Sequence, residues 1–527
     1  MSTDNRVTDR TGLPVSLTPA LVERLVRRVT AGSAERMTTY APYTGAPLAE
    51  LPVSTAEDVE AAFAAARRAQ RAWRDTPVQQ RERIFLRFHD LVLERQDEIM
   101  DLIQAENGKA RRDAFLEVGD IAQTTRYYTR TARALLRPRR RRGAFPVLTH
   151  TTELHHPKGV VGVISPWNYP FTLGTGDTIP ALLAGNAVVQ KPDTQTALSA
   201  LWAAELLYEA GLPEGLWQIV LGKSQEIGSP LQAGADYLMF TGSTATGRRI
   251  ARDAGQRLIG ASLELGGKNA LIVLDDADAD RTAEGAVRAC FSGSGQVCTS
   301  IERLFVHDSV YDAFLTRFLA RVKDMPLGAS YDYSYAMGSL TNPAQLATVS
   351  AHVDDAVAKG ATVLAGGRAR PDLGPYFYEP TVLTGVEPGM ACHGDETFGP
   401  VVAVYRYSDL DEAVERANDT AYGLNASVWT GNGRRGRAVA ARLHAGTVNV
   451  NEGFTAAWAS LDAPMGGTGD SGLGRRHGAE GLLKYTEAQT VAHQRLMGFA
   501  PPKGMSYRRW AMSQTTSLRA MKRAGMK

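Results

Sequence analysis

The chain has 527 residues, is 44% hydrophobic and 22% charged, and carries a formal net charge of +3. That length suits two or three domains around a large core, and so small a net charge is too little to imply a nucleic-acid surface. Three cysteines exclude a disulfide framework and fit a reducing cytoplasm, while no stretch reaches the ~18 apolar residues that span a bilayer.

The N-terminal "MSTDNRVTDRTG" lacks the apolar centre of a signal peptide. Further on, "STAEDVEAAFAAARRAQRAW" predicts a helix: Ser54 with Glu57 reads as a capping box, and Val59, Phe63, Ala66 and Ala69 fall on one face. A second amphipathic stretch starts at Arg81 and passes Phe85, Phe88 and Leu91 to Ile99 and beyond. The pattern then changes to short runs, "VVGVISPW", "NAVVQKP", "LWQIVLG", "YLMFTGS" and "NALIVLDD", each with Gly, Pro or Asp in its last two residues. Helices such as "LSALWAAELLYEAG", closed by Gly211, separate them. Apolar strands alternating with helices predict a doubly wound α/β domain that binds its ligand beyond the strands' carboxyl ends. A second cycle, with "RLFVHDSVYDAFLTRFLARV", "PVVAVYRYSDLDEAVERAN", "ASVWTG" and "GTVNVNEG", predicts a second α/β domain. "RPRRRR", from Arg137 to Arg142, and the basic tail after residue 500 read as solvated or surface-docked segments. Neither nucleic acid nor membrane is an expected partner.

Several short stretches bear chemistry. In "GQVCTS", Cys298 is either a reactive thiol or one more buried small residue. In "SLELGGKN", Glu264 sits among apolar neighbours; if desolvated, it would have a raised pKa suited to a general base, and otherwise it is a strand-edge glutamate. "SPWNYPF" holds Asn168 in a loop stiffened by prolines and aromatics, where an amide can donate to an oxyanion or merely sit in a turn. In "FTGSTATG", Gly242, Ser243 and Gly247 lie where a strand enters a helix, a place for a phosphate or an ordinary turn. Lys191, at the end of "VVQK", could meet a ribose or a phosphate. "ETFGPVV" sets Glu396 and Phe398 ahead of a strand. Nothing in these stretches calls for a metal.

Taken together and in this order, "PWNYP", "KPDTQT", "FTGSTATG", "LELGGKN", "GQVCTS", "ETFGPVV" and "GTVNVNEG" resemble the motif blocks of the aldehyde dehydrogenase superfamily, over roughly Tyr40 to Gln494. The resemblance implies a Rossmann-type cofactor domain (1–135 and 158–269), an α/β catalytic domain (270–466), oligomerisation or bridging elements (136–157, a β-hairpin arm, and 467–500) and a basic tail (501–527). It implies that Cys298 is the nucleophile, Asn168 an oxyanion donor and Glu264 the base that hydrolyses a thioester. It places Ser165, Pro166, Trp167, Lys191, Thr194, Gly242, Ser243, Gly247, Leu265, Gly266, Glu396 and Phe398 around a dinucleotide. Members that prefer NAD often carry a glutamate where this chain has Thr194, so NADP is the expected cofactor, with NAD accepted. A homodimer or homotetramer in the cytoplasm is implied as well.

The overall pattern is most similar to NADP-dependent succinate-semialdehyde dehydrogenases. Two positions where better-known members of that group place arginines are Gly176 and Ser292, and Gly469 stands where the common block has lysine. Trp458, Tyr169 and Phe171 suggest instead a pocket for medium-chain aliphatic or aromatic aldehydes. A catalytically silent member kept for binding is the remote alternative, opposed by the presence of Cys298, Glu264 and Asn168.

Overall fold

A computed structural model describes residues 8, 12–143, 149–495 and 498–526. The chain forms two bodies: Met1–Leu135 with Pro157–Tyr485, and Leu136–His156 with Thr486–Lys527. Residues 467–485, grouped with the arm in the sequence reading, therefore lie with the larger body. Their short strand Gly472–Leu473 pairs antiparallel with Gly260–Glu264.

The larger body is built on two sheets. In the six-stranded one, the strands Trp217–Ile219, Ala187–Pro192, Val160–Ser165, Tyr237–Thr241 and Gly260–Glu264 run parallel in that spatial order. The order reverses at Val160–Ser165, so the ligand crevice of a doubly wound sheet falls beyond its carboxyl end. The seven-stranded sheet has Asn269–Val273 and Ile301–His307 near its centre, with Val401–Tyr407, Asn425–Trp429 and Thr447–Val450 beside them. "NALIV", read in sequence as part of the first series, thus belongs to this second sheet. The Gly266–Gly267 break ends one sheet and lets the chain enter the other.

Helices cover both faces, and their ends show how the sequence sets them. The helix Ala56–Trp73 is capped by Thr55 with Asp58, not by Ser54 with Glu57. Ser54 is buried, its hydroxyl donating to Thr30 O and accepting from Leu221 N, so it is unavailable for capping. The next stretch splits into Val78–Glu94 and Gln96–Asn107. Ala197–Glu209 ends in front of Gly211, whose φ of +107° suits a left-handed stop. In the smaller body, Arg139–Arg142, Thr149–Pro157 and Thr486–Gln494 form a three-stranded sheet, and the helix Tyr507–Arg523 follows. Among the described residues no helix is long and apolar enough to cross a membrane.

Candidate active site

Cys298 sits in a loop that few other sequences could form. The helix Ala279–Phe291 runs into a turn in which Gly293, Ser294 and Gly295 all have φ between +59° and +70°. A Cβ on Gly295 would lie 2.1 Å from Gly399 O, so only glycine fits there. Ser294 tolerates the left-handed conformation because its hydroxyl donates to Gly338 O and Ser339 O. On the far side of the cysteine, Asn269 Nδ2 donates to Cys298 O (2.8 Å) and Ser300 O (2.7 Å). The loop is thereby pinned to a central strand of the second sheet. Cys290 and Cys392 are buried, whereas Cys298 is only partly so and lines a cavity that Asn168 also lines.

Asn168 lies between the strand Val160–Ser165 and the helix Pro170–Leu183. Its Nδ2 donates to Gln296 O (2.9 Å), which uses one of two amide protons and leaves the other for a substrate oxygen. The loop is held from below by groups that sequence reading did not single out. Lys109 Nζ donates to Asn168 O and to Glu117 Oε1, both at 2.6 Å. The other Glu117 oxygen accepts from Phe171 N (2.9 Å) and Thr172 N (3.0 Å). Asn107 Nδ2 donates to Trp167 O (3.0 Å). No motif links "NGKARRDAFLE" to "PWNYP", which is why this support is visible only in three dimensions. Replacing the donor, Asn168→Ala, is expected to lower kcat by about 10²- to 10³-fold, with KM little changed; steady-state kinetics checks this.

Glu264 ends the strand Gly260–Glu264, and its Oε1 is buried with no hydrogen-bond partner among the described residues. Burial pushes its carboxyl up to about 7, moderated by the positive charges of Arg476 and Lys484. Those two cations share the buried carboxylate of Asp177: Arg476 pairs with it directly, and Lys484 Nζ lies 3.5 Å away. A carboxylate free of hydrogen bonds and titrating near neutrality is suited to taking a proton from water. The Cys298 thiol is pushed up to about 12, chiefly by burial and then by Glu396 and Glu264. It is protonated at rest, so a base must take its proton as a new bond to sulfur forms.

The crevice beside these groups fits a dinucleotide on three counts. Lys191, near the end of the strand Ala187–Pro192, is buried, and its ammonium makes no hydrogen bond or ion pair to a described residue. Ser243 is the N-cap of Thr244–Gln256 but makes no side-chain cap, leaving the first-turn amides open to an anion. A Cβ on Gly266 would lie 2.3 Å from Glu396 Oε2, so glycine there is what lets Glu396 seat, with Gly267 N donating to Glu396 Oε1 at 2.8 Å. Phe398, at φ +52°, is held in its strained backbone by Glu302 accepting from Phe398 N and Gln345 donating to Phe398 O. Its ring meets Trp167 edge-on, 5.5 Å between centroids. Other positions in this group have internal roles. Ser165 Oγ accepts from Gln190, Leu265 N donates to Ser471 O, and Gly242 fits closely against the Phe240 ring. Gly247 lies within the helix, packed closely against Leu265. Thr194, one residue beyond Asp193, opens a short 3₁₀ turn.

A model of the aldehyde dehydrogenase family matches residues 29–491. The chain belongs to the aldehyde dehydrogenase family. A relative from Mycobacterium ulcerans, provisionally named succinate-semialdehyde dehydrogenase (NADP(+)) 2, is 56% identical over 486 residues, 92% of this chain and 94% of its own. A crystal structure described as an NADP-dependent enzyme of E. coli superposes with a TM-score of 0.85 at 33% identity, covering 88% of this chain and 96% of that one. An NAD-dependent aldehyde dehydrogenase from Sinorhizobium meliloti gives 0.85 at 32%, covering 90% and 94%.

In this aldehyde dehydrogenase the cavity that reaches Cys298 has a volume of about 200 Å³ and mainly apolar walls, among them Leu116, Tyr169, Leu173, Val297, Phe454 and Trp458. The carboxyl in its lining belongs to Asp120, which accepts from Trp458 Nε1 at 2.7 Å and is pushed up to about 6 by burial. Among the described residues no lysine or arginine lines it. Arg476 lies 5.3 Å from the centroid of the Trp458 indole and is committed to Asp177. Phe171, expected in the lining, is fully buried against Trp202 instead. Gly176 packs near Ile121, and Ser292 lines a neighbouring recess that charged and apolar side chains share. Gly469 has φ +57°, with room for no Cβ beside Ala421 O, so the loop here could not carry the lysine of the common block without strain.

Proposed function

We propose that this aldehyde dehydrogenase oxidises succinate semialdehyde to succinate with NADP, through a thioester on Cys298. The observation that carries the chemistry is a partly exposed thiol sharing one cavity with the Asn168 amide and lying within electrostatic reach of Glu264. Cys298 Sγ adds to the aldehyde carbon as its proton passes to water in the cavity. The carbonyl oxygen becomes an oxyanion that accepts from Asn168 Nδ2 and from the Cys298 backbone N–H. Bound nicotinamide supplies the acceptor for the hydride that this carbon then loses, leaving an acyl group on sulfur. Glu264, ionised, takes a proton from water; the resulting hydroxide adds to the thioester carbon. The carbon–sulfur bond breaks, the acid leaves and sulfur recovers a proton. Lys191, Ser243 and Glu396 are the residues that would hold the dinucleotide.

The relatives' names support both substrate and cofactor. Thr194 supports NADP on its own account, since it places no carboxylate against a 2′-phosphate. Asp193 accepts from Gln195 N at 3.0 Å and is spent on its own turn. Thr194→Glu is expected to lower kcat/KM with NADP about 10- to 100-fold by like-charge repulsion, while the value with NAD changes little; parallel kinetics with both cofactors measures this. The exposed strands of the three-stranded sheet, Arg139–Arg142 and Thr486–Gln494, support a homodimer or homotetramer.

A second reading is favoured by the apolar cavity, whose described lining has Asp120 and no cation: medium-chain aliphatic or aromatic aldehydes. A carboxylate-bearing substrate is ordinarily met by arginine or lysine. kcat/KM for succinate semialdehyde, hexanal and benzaldehyde separates the two. A preference for the first supports the leading reading, a preference for hexanal or benzaldehyde the second. Failure to reduce cofactor with all three contradicts both.

A further inference from the structure

The charge of this chain is strongly segregated. The smaller body holds thirteen lysines and arginines against two acidic residues, Glu153 and Glu487, whereas the larger holds forty-six against fifty-four. No acidic residue follows Glu487, and eight basic ones do. Most of these are on or beside the helix Tyr507–Arg523, none of whose residues is buried. Along that helix Tyr507, Trp510, Ala511, Gln514, Leu518 and Met521 recur at three- and four-residue steps, an apolar stripe broken by one glutamine. Tyr507 and Leu518 are 67% and 62% exposed. Lys522, Arg508 and Arg519 lie along one edge of the stripe, Ser513 and Ser517 along the other, and Arg509 and Arg523 on the opposite face.

We propose that this C-terminal helix lies in the interface of an anionic phospholipid surface and makes the enzyme a peripheral membrane protein. A helix this short and polar cannot span a bilayer, but an apolar stripe bordered along one edge by arginine and lysine suits the plane between headgroups and acyl chains. Trp510 and Tyr507, which meet ring to ring at 5.2 Å, have the amphipathic rings that favour that depth. The flanking cations can run their aliphatic stems along the apolar side and leave their charges among lipid phosphates. Nucleic acid would be drawn by the same charge but gives the stripe nothing to bury, which favours lipid. The expected absence of a membrane partner is thereby limited to spanning segments. This inference does not depend on the substrate or on the chemistry at Cys298.

The test uses the full-length enzyme and sedimentation with vesicles of phosphatidylcholine alone or mixed with phosphatidylglycerol. Binding is expected to the anionic vesicles, to weaken with salt, and to be at least tenfold weaker on phosphatidylcholine. Each charge removed near the surface lowers partitioning about fivefold, so Arg508→Gln with Arg519→Gln should lower it about 25-fold. Leu518→Ser should weaken it too. Both variants should keep the wild-type kcat/KM in solution, which shows that they are folded. The proposal is overturned by equal binding to neutral and anionic vesicles, by variants that partition like the wild type, or by retention on duplex DNA without retention on vesicles. A change of native mass in Leu518→Ser, with vesicle binding intact, would likewise overturn it by showing that a second copy covers the stripe.

Discussion

Cys298→Ala is expected to abolish aldehyde oxidation, lowering kcat by about 10⁴-fold or more, while the affinity for NADP changes little. The reason is positional. Cys298 presents its sulfur to the aldehyde cavity, whereas the residues that fit the dinucleotide come from the ends of other strands and from the first turn of Thr244–Gln256. Neither of the other cysteines can substitute: Cys290 lies inside the helix Ala279–Phe291 and Cys392 in the apolar core of the second sheet. Measuring turnover by absorbance and cofactor affinity by fluorescence titration checks both halves. Loss of cofactor binding along with turnover would assign Cys298 a structural role instead.

Glu264→Gln is expected to separate the two halves of the reaction. Acylation of Cys298 passes the thiol proton to water and needs the oxyanion donors but no carboxylate at position 264, so one equivalent of reduced cofactor should appear rapidly. Hydrolysis then lacks its base, and steady turnover should fall about 10²- to 10⁴-fold. The pH dependence follows from the same burial. A base must be ionised to act, and burial raises this carboxyl to about 7. Hydrolysis in the wild type should therefore speed up as pH rises through about 7, and the thioester should accumulate below it. That rising limb should vanish in Glu264→Gln. A wild-type rate flat between pH 5 and 9, or a variant without a burst, would place the base elsewhere.

The parts legible in sequence were those whose chemistry is local. Cys298, Asn168 and Glu264 each sit in a short stretch whose glycines, prolines or apolar neighbours already constrain the side chain, and the alternation of strands and helices was readable as two α/β cycles. Long-range support was not. The Lys109–Glu117 pair under Asn168, Asn269 over Cys298, and the Asp177, Arg476 and Lys484 cluster near Glu264 join segments up to 307 residues apart. Local patterns also misled where a side chain was needed elsewhere. Ser54 has a good capping sequence, but its hydroxyl bridges two backbone groups and Thr55 caps in its place. Phe171 neighbours Tyr169 in sequence, yet the first turn of Pro170–Leu183 points it into the core. The close packing of Gly247 depends on Leu265, just beyond the strand Gly260–Glu264, a partner that no local motif could reveal.

The central claim, an acyl group carried on one sulfur and released by one carboxylate, is tested most directly by intact-protein and peptide mass spectrometry. Glu264→Gln is mixed with NADP and an aldehyde that the wild type turns over, then quenched in acid during the stall. One acyl group per chain, on the peptide that contains Cys298, is the predicted result. Reduced cofactor formed in the same sample with no acyl adduct, or with the adduct on Cys290 or Cys392, would contradict it.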